Sequence, residues 1–141
     1  MLKFNESLPM KLVAAREVTM SFFRPILHEV DFTDQQWRVL RALSEFSGLE
    51  FKELAKLTCI LSPSLTGIIK RLEERNLIYR EKSQQDQRCT LLFLTPEATQ
   101  IVDEVSVQIE KRYAQFKKKF GAKKLERLLK LLDEVETLPF F

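Results

Sequence analysis

The residue types that carry out chemistry in enzymes are scarce in this chain of 141 residues. It has one histidine, His28, and two cysteines, Cys59 and Cys89, without the Cys-x-x-Cys spacing of a zinc site. A single histidine allows no multi-histidine metal cage and no H-E-x-x-H helix. The glycine-rich patterns that cradle phosphates or dinucleotides, and the nucleophile elbow of hydrolases, are also missing from the sequence. We therefore expect no catalysis, no metal site and no cofactor.

A second group of residues, between positions 62 and 71, has the side chains that contact duplex DNA. The group begins with Ser-Pro, which predicts a helix whose N-cap is the serine and whose first residue is the proline. Apolar residues at helical spacing predict a buried face formed by Leu65, Ile68, Ile69 and Leu72. The candidate DNA-binding residues on the other side are Ser62, Pro63, Ser64, Thr66, Gly67, Lys70 and Arg71. Hydroxyl groups at the front of such a helix suit base edges, and cations suit phosphates.

Gly67 lies in the interior of this predicted helix. A glycine at such a position costs about 0.8–1.0 kcal/mol relative to alanine, so a reason for it is expected. A surface pressed closely against DNA is one explanation, and tight contact between two packed helices is another. The sequence leaves both open.

The next polar group lies between two stretches rich in β-forming residues, over 77–81 and 90–94, which predict a hairpin with a long loop. Arg88 lies near the end of that loop, where a cation suits the narrow and electronegative minor groove. Asp86, two residues earlier, can hold the arginine extended through a charge-assisted hydrogen bond. Asp86 and Arg88 are therefore further candidate DNA-binding residues.

Predicted helices before this region must position it. Apolar residues spaced by three and four predict a first helix over residues 7–29. Pro25 should kink this helix, because proline removes a backbone donor and crowds the preceding turn. Thr33 followed by Gln36 has the pattern of a capping box and predicts a helix from there to about residue 46.

The remaining predicted elements complete an order known from DNA-binding proteins. A short helix over 51–57 and a turn over 58–62 precede the Ser-Pro helix. Thr95-Pro96 starts a long helix, which Gly121 interrupts before a last helix. Helix, short helix, turn, helix and hairpin is the order of a winged helix-turn-helix, which places its recognition helix in the major groove. We expect a mainly α fold with a small β-hairpin wing.

Composition and charge limit the possible partners. With 45% apolar residues, three glycines and five prolines, the chain is neither disordered nor of low complexity. It has no uninterrupted apolar stretch of membrane-spanning length and no pattern of a secretory signal, so we expect a cytoplasmic protein without membrane contact. The net charge is only +3, but residues 111–130 contain nine cations and one acid. We interpret this basic run as the solvated face of amphipathic helices.

Several motifs together resemble one family of regulators. They are Asp86-Gln87-Arg88, Leu94-Thr95, Leu54-Ala55 and the run Arg71-Leu72-Glu73-Glu74-Arg75-Asn76-Leu77-Ile78. The sequence resembles the multiple-antibiotic-resistance-regulator (MarR) family of dimeric winged-helix transcription factors, over residues 8 to 135. It departs from the family pattern at Asn76 and Ala98, where glycine is common. Asparagine tolerates the left-handed conformation at a helix end, so the first departure matters little.

Longer stretches resemble one branch of this family more closely, the repressors of 4-hydroxyphenylacetate (homoprotocatechuate) degradation operons. These stretches are Ala15-Arg16-Glu17, the segments 21–26 and 35–38, and the segment 59–67. The resemblance implies a DNA-binding repressor of an aromatic-acid catabolic operon, released from DNA by a phenolic carboxylate. It implies no cofactor.

The resemblance also implies a homodimer whose first and last helices intertwine. We expect a single domain over 1–141, with dimerisation helices in 1–32 and 112–141 and a DNA-binding lobe in 33–111. Two recognition helices would enter successive major grooves of a pseudo-palindromic double-stranded operator, and the wings would reach the flanking minor grooves. The wide apolar stripes of the terminal helices and the apolar tail over 138–141 independently favour association.

Regulators of this kind commonly bind small phenolic acids between the dimer helices and the DNA-binding lobes. An aromatic carboxylate needs a cation and flat apolar walls. By correspondence with related aromatic-acid sensors, Arg16 is the candidate anchor of the carboxylate. The candidate walls are Met10, Val13, Met20, Phe23 and Trp37. An inter-helix salt bridge is the alternative role for Arg16, and ordinary core packing is the alternative for the walls.

A different class of function also remains open. The chain could be a helical protein-interaction module that uses the basic face of residues 111–130 to bind an acidic partner. Under that interpretation the lysines of this run, rather than the recognition helix and the hairpin, would carry binding.

Overall fold

The computed structural model describes residues 1–139, and within them the chain forms seven α-helices and one β-hairpin, preceded by a short 3-10 helix over Phe4–Glu6. The helices are α1 (Leu8–Ser21), α2 (Arg24–Glu29), α3 (Asp34–Glu45), α4 (Phe51–Thr58), α5 (Ser62–Glu74), α6 (Pro96–Phe120) and α7 (Ala122–Glu136). The strands are β1 (Ile78–Lys82) and β2 (Thr90–Leu94). Two residues of the apolar tail, Phe140 and Phe141, lie outside the described residues. None of the helices in the described part is long and apolar enough to cross a membrane.

Two helix starts predicted from the sequence are confirmed by their hydrogen bonds. The Thr33 hydroxyl accepts a hydrogen bond from the Gln36 backbone N–H at 3.0 Å, and the Gln36 side chain accepts one from the Thr33 N–H at 3.0 Å. The Thr95 hydroxyl accepts a hydrogen bond from the Ala98 N–H at 3.1 Å, with Pro96 as the first helical residue. Both helices therefore begin where local side chains satisfy backbone donors that have no partner within the helix.

The prediction of one kinked helix over 7–29 is wrong, because the chain forms two helices there. After α1, the N–H groups of Phe22 and Phe23 donate to carbonyls three residues back, at 3.2 and 2.9 Å. This tighter turn ends α1, and α2 begins at Arg24 with Pro25 as its second residue. Proline has no N–H to continue a preceding helix, but its fixed φ suits the first turn of a new one.

The prediction of Ser62 as an N-cap is also wrong, by one residue. Leu61 is extended, with φ −64° and ψ 141°, and its carbonyl accepts a hydrogen bond from the Leu65 N–H at 2.9 Å. Ser62 is therefore the first helical residue and Pro63 the second. Proline is tolerated at this position because the N–H groups of the first turn need no partner within the helix.

The β-hairpin lies against the end of α5. Its strands are antiparallel, with Ile78 paired to Leu94 and Lys82 paired to Thr90. The chain enters β1 through Asn76, which has a left-handed backbone with φ +58°, as the glycine-to-asparagine departure predicts. The Thr95 hydroxyl donates to the Asn76 carbonyl at 2.9 Å, so the cap of α6 also closes the base of the hairpin.

The hydrophobic core belongs almost entirely to the lobe formed by α2 to α5, the hairpin and the first half of α6. Its fully buried side chains are Leu27, Val39, Leu40, Leu54, Leu65, Ile69, Leu72, Leu92, Val102 and Val105. In contrast, α1 contributes no buried residue and α7 contributes only Leu125. These two helices expose large apolar side chains, among them Val13 and Val18, each 62% exposed, and Leu131, 52% exposed.

Candidate DNA interface and effector cavity

Helix α5 has two distinct faces. Leu65, Ile68, Ile69 and Leu72 are at most 5% exposed and pack into the core. The residues on the outer side are exposed, except for Gly67, which is half-buried. They are Ser62, Pro63, Ser64, Thr66, Gly67, Lys70 and Arg71. The structure thus brings the seven candidate residues of this helix onto one accessible surface.

Gly67 lies at an open position on that surface. A Cβ atom built on it would have no heavy atom within 4 Å outside the helix backbone. Tight packing of α5 against a neighbouring helix therefore does not explain the glycine. The open space remains compatible with a partner that approaches this face closely, which is the first of the two explanations that the sequence allows.

A guanidinium group joins α5 to the hairpin. Arg80 on β1 donates through Nε to both carboxylate oxygens of Glu73 on α5, at 3.2 and 3.1 Å, and through Nη2 to Oε1 at 3.0 Å. The hydrogen bonds to Glu73 raise the pKa of Arg80. This brace was missed from the sequence, because its two members are seven residues apart and lie on different elements. It links the hairpin to α5.

The hairpin loop is ordered by its own hydrogen bonds. The Asp86 carboxylate accepts from the Arg88 N–H at 3.1 Å and from Arg88 Nε at 3.2 Å. These bonds lower the pKa of Asp86, the side-chain bond most. The Arg88 side chain is 92% exposed, so the aspartate orients a guanidinium that remains accessible to solvent. The local pairing predicted from the sequence is therefore present.

The two cysteines lie near these elements. Cys59 is exposed at the end of α4 with a left-handed backbone, φ +56°. Cys89 is half-buried in the hairpin loop. The carboxylates of Glu50 and, more weakly, Asp86 raise the pKa of the Cys89 thiol to about 11, with burial adding to the effect. Residues 1–139 include no group of three or more His, Cys, Asp or Glu side chains that could hold a metal ion.

A small cavity, of about 210 Å³, lies between α1 and α3. Its lining residues are Arg16, Met20, Asp34, Trp37, Arg38 and Arg41. Three guanidinium groups thus face one carboxylate, beside the flat indole of Trp37 and the thioether of Met20. The volume is below the usual range of drug-sized pockets, about 300–1,000 Å³, and suits a molecule with one ring. Cations beside apolar walls suit an aromatic anion.

A second cavity, of about 330 Å³, lies between α1, α6 and α7, and we call it the apolar cavity. Its walls are mainly leucine and phenylalanine side chains, including Phe23 and Phe116, and Arg16 is its one charged residue. Arg16 therefore borders both cavities. Among the candidate walls, Met20 and Trp37 line the small cavity and Phe23 lines the apolar one. Met10 and Val13 line neither of these two cavities.

Ion pairs connect the cavity region to the helices around it. Arg24 on α2 donates to Asp34 at 2.8 and 3.1 Å and also pairs with Glu17 on α1. The Arg24 hydrogen bond lowers the pKa of Glu17, and the two carboxylates raise the pKa of Arg24. Arg16 lies 3.9 Å from Asp34, with 47% of its side chain exposed. The Asp34 carboxylate is thus already shared, and Arg16 retains donors for another anion.

Sequence reasoning also missed a link from the end of α5 to the turn between α2 and α3. Arg75 donates to the backbone carbonyls of Asp31 at 2.7 Å and Val30 at 3.2 Å. Its guanidinium carbon lies 5.0 Å from the centre of the Phe32 ring. The contacts span more than forty residues of sequence, so no local pattern could have indicated them.

The basic run over 111–130 lies on the second half of α6 and the first half of α7. Lys117, Lys118 and Lys119 occupy the last turn of α6, where cations stabilise the negative end of the helix dipole. Lys124 lies over the Phe120 ring at 4.9 Å, and Lys130 pairs with Glu126 at 3.7 Å. These local contacts are consistent with a solvated, structural role for the run.

Comparisons with known proteins agree with this geometry. Residues 32–90 match the model of the MarR family. The chain is 42% identical over 134 residues to the homoprotocatechuate degradative operon repressor of Escherichia coli, covering 95% of this chain and 90% of that protein. It is similar to the crystal structure of NadR in complex with 4-hydroxyphenylacetate, with a TM-score of 0.84, 40% identity and 99% of each chain covered.

A second similar structure contains nucleic acid. It is the transcriptional repressor CouR bound to a 23-mer DNA duplex, with a TM-score of 0.82, 25% identity and 94% of each chain covered. The winged helix-turn-helix order predicted from the sequence is therefore the observed fold. Given 42% identity over nearly its whole length to a curated repressor, together with the match of residues 32–90, this chain belongs to the MarR family.

Proposed function

We propose that this protein is a DNA-binding transcriptional repressor of an aromatic-acid catabolic operon, and that a phenolic carboxylate releases it from its operator. The Escherichia coli relative is a repressor of homoprotocatechuate degradation, and NadR binds 4-hydroxyphenylacetate. The family membership and the cation-lined small cavity support the same function for this chain. A repressor acts where its operator lies, so we assign the protein to the cytoplasm.

The exposed face of α5 is the observation that carries the DNA-binding role. Ser64 and Thr66 stand in the first turns of the helix, where side chains reach base edges in the major groove. Lys70 and Arg71 follow one turn later and suit the phosphates that flank the groove. Arg88 extends from the wing and suits the minor groove. The hydrogen bonds between Glu73 on α5 and Arg80 on β1 link these DNA-contacting elements to each other.

The exposed apolar side chains of α1 and α7 support a homodimer. An isolated helix of 14 residues with no buried side chain has little to stabilise it in water, so α1 needs a partner surface. We propose that residues 1–32 and 112–141 form the dimer contacts and that 33–111 form the DNA-binding lobe. Two-fold symmetry then matches a pseudo-palindromic operator, with half-sites about one helical turn apart.

The effector site that we propose is the small cavity. Arg16 pairs with the carboxylate, because its guanidinium is half exposed and its contact with Asp34 is long, at 3.9 Å. Trp37 and Met20 provide the apolar walls for the ring. Phe23 lines the apolar cavity, which shares Arg16 with the small cavity. For Met10 and Val13, a role as walls stays a prediction that depends on the arrangement of the two protomers.

The DNA-binding role is tested by measuring operator affinity at several salt concentrations. Arg71→Ala should weaken operator and random DNA alike and lower the salt slope by about one, as expected for a phosphate contact. Ser64→Ala should weaken the operator more than random DNA, because it removes a contact to a base. Equal losses on both DNAs for Ser64→Ala would contradict its role as a base reader.

The same assay decides between the repressor and the helical interaction module. A combined replacement of Arg71 and Arg88 should abolish operator binding. A matched combined replacement of Lys117, Lys118 and Lys119 should leave it unchanged if the basic run is a solvated face. If the lysine variant loses DNA binding and the arginine variant retains it, the recognition helix is not the DNA-reading element.

The effector role is tested by calorimetric titration with 4-hydroxyphenylacetate and homoprotocatechuate. We expect saturable binding by the wild type and a loss of affinity of at least tenfold in Arg16→Ala. Lys11→Ala, on the same helix but outside both cavities, is the matched control. Unchanged affinity in Arg16→Ala would remove Arg16 from the site.

A further inference from the structure

Arg38 contacts both the small cavity and the end of α4. Its side chain is half-buried on α3 and lines the small cavity. Its Nη1 group also donates a hydrogen bond of 2.8 Å to the backbone carbonyl of Thr58, twenty residues further along the chain. One guanidinium therefore joins the proposed effector site to the end of α4.

Thr58 lies at the turn from which the recognition helix begins. It is the last residue of α4 and is 2% exposed, and its hydroxyl donates a hydrogen bond of 2.6 Å to the Leu54 carbonyl. Cys59 then adopts a left-handed conformation, Ile60 is buried, and Leu61 is the N-cap of α5. Carbonyls at the end of a helix lack partners within the helix. Arg38 satisfies one of them and so fixes the turn before α5.

The charges around Arg38 favour an incoming anion. The small cavity contains Arg16, Arg38 and Arg41 but a single carboxylate, Asp34, which also pairs with Arg24. Burial lowers the pKa of Arg38, and the positive charge of Arg16 lowers it further. A carboxylate placed between the guanidinium groups of Arg16 and Arg38 would reduce their mutual repulsion and compensate for the burial of Arg38. The Thr58 carbonyl accepts one hydrogen bond from the guanidinium, whereas a carboxylate carries a full charge and can accept two parallel ones.

We propose that Arg38 is the positioning residue that links effector binding to DNA release. Without effector, it holds the Thr58 carbonyl and keeps the turn and the start of α5 in the geometry that reads DNA. The carboxylate of the effector competes with Thr58 for the same guanidinium and loosens the turn. This inference rests on the proposed effector site, and it adds the residue through which that site acts.

The test measures a coupling factor, which is the ratio of operator dissociation constants with and without saturating 4-hydroxyphenylacetate. Coupling between two sites typically changes affinity by about 5- to 150-fold, and we expect the wild type to lie in that range. Arg38→Met should reduce the factor to within about twofold of one. It should still bind the effector through Arg16. Arg41→Met is the matched control, because Arg41 lines the same cavity and makes no hydrogen bond to Thr58 in the described residues.

Arg41→Met should weaken effector binding but keep the wild-type coupling factor at saturation. A wild-type factor in Arg38→Met would overturn the inference. An equal loss in both variants would also overturn it, because the coupling would then depend on cavity charge rather than on the Thr58 contact. Thermal unfolding of each variant, at one protein concentration, checks that the fold is retained.

Hydrogen exchange on the wild type provides a second measurement that needs no variant. The N–H groups of Cys59 and Ile60 donate to the carbonyls of Lys56 and Ala55, at 3.4 and 3.2 Å, and report on the turn. Saturating effector should speed their exchange, and unchanged exchange over residues 58–62 would overturn the inference. If wild-type protein fails to bind the effector, or its operator affinity does not change, the proposed function itself fails. That outcome is distinguishable from one in which the wild type responds to the effector and Arg38→Met keeps the wild-type coupling factor.

Discussion

Gly67→Ala should raise the stability of the protein and at the same time lower its affinity for operator DNA. The glycine lies inside α5, and the space that a methyl group would enter is empty in the protomer. Because alanine is favoured over glycine in a helix interior, the free energy of unfolding should rise by about 0.8–1.0 kcal/mol. For a chain of this size the melting temperature should rise by about 3–5 °C at fixed protein concentration.

The effect on DNA binding has the opposite sign. If DNA lies against this face, a methyl group in the closed interface costs about 1–3 kcal/mol, which is about a 5- to 150-fold weaker operator complex. Fluorescence anisotropy with labelled operator, beside thermal unfolding of the same samples, measures both quantities. Wild-type operator affinity in Gly67→Ala would refute close approach at this position. A lower melting temperature would refute the assignment of open space.

Gly121→Ala is the matched control for that experiment. Gly121 has φ +116° between α6 and α7, a backbone conformation that other residues rarely adopt. Replacement there should lower stability by about 1–3 kcal/mol. Operator affinity, measured under conditions where the dimer is fully folded, should stay within about twofold of the wild type, because Gly121 lies between α6 and α7 and belongs neither to α5 nor to the hairpin.

Three further predictions concern the dimer, the thiols and the wing. Leu12→Glu, on the exposed face of α1, should convert the dimer to monomers in light scattering; an unchanged mass would contradict the proposed dimer helices. At pH 8 a thiol reagent should label Cys59 well before Cys89, because the pKa of Cys89, about 11, leaves little thiolate. The labelling rate of Cys89 should rise about tenfold per pH unit up to that pKa. A double-mutant cycle on Glu73 and Arg80 should give a coupling of only about 0.2–1 kcal/mol in stability, since both are partly exposed, while a clearly larger value would contradict that estimate.

Features that depend on neighbours in sequence could be predicted from the sequence. The caps at Thr33 and Thr95 each need only a backbone group three residues away. The pairing of Asp86 with Arg88 spans two residues. The buried face of α5 follows from helical spacing alone. In each case the interacting groups are brought together by the local backbone, so residue type and spacing carry the necessary information.

Features that depend on tertiary packing could not be predicted in the same way. The break at Phe22 and Phe23 separates α2, which has buried residues, from α1, which has none, although the apolar spacing continues across both. The contact of Arg38 with the Thr58 carbonyl exists only because α3 and α4 pack side by side. Arg24 meets Asp34 for a similar reason, across the α2–α3 turn. The sequence therefore indicated the exposed face of α5 and the candidate anchor Arg16, but not the contacts between elements that surround them.

Because α1 has no buried residue in the protomer, the folded fraction, and with it the extent of repression, should depend on protein concentration. A helix of this length is marginal on its own, so in a newly synthesised, solitary chain the segment would be largely melted. Its helical structure would then form together with subunit association, and mass action would make the folded fraction rise with concentration. Exchange of subunits between dimers would require the same segment to leave its partner surface and lose its helical structure again.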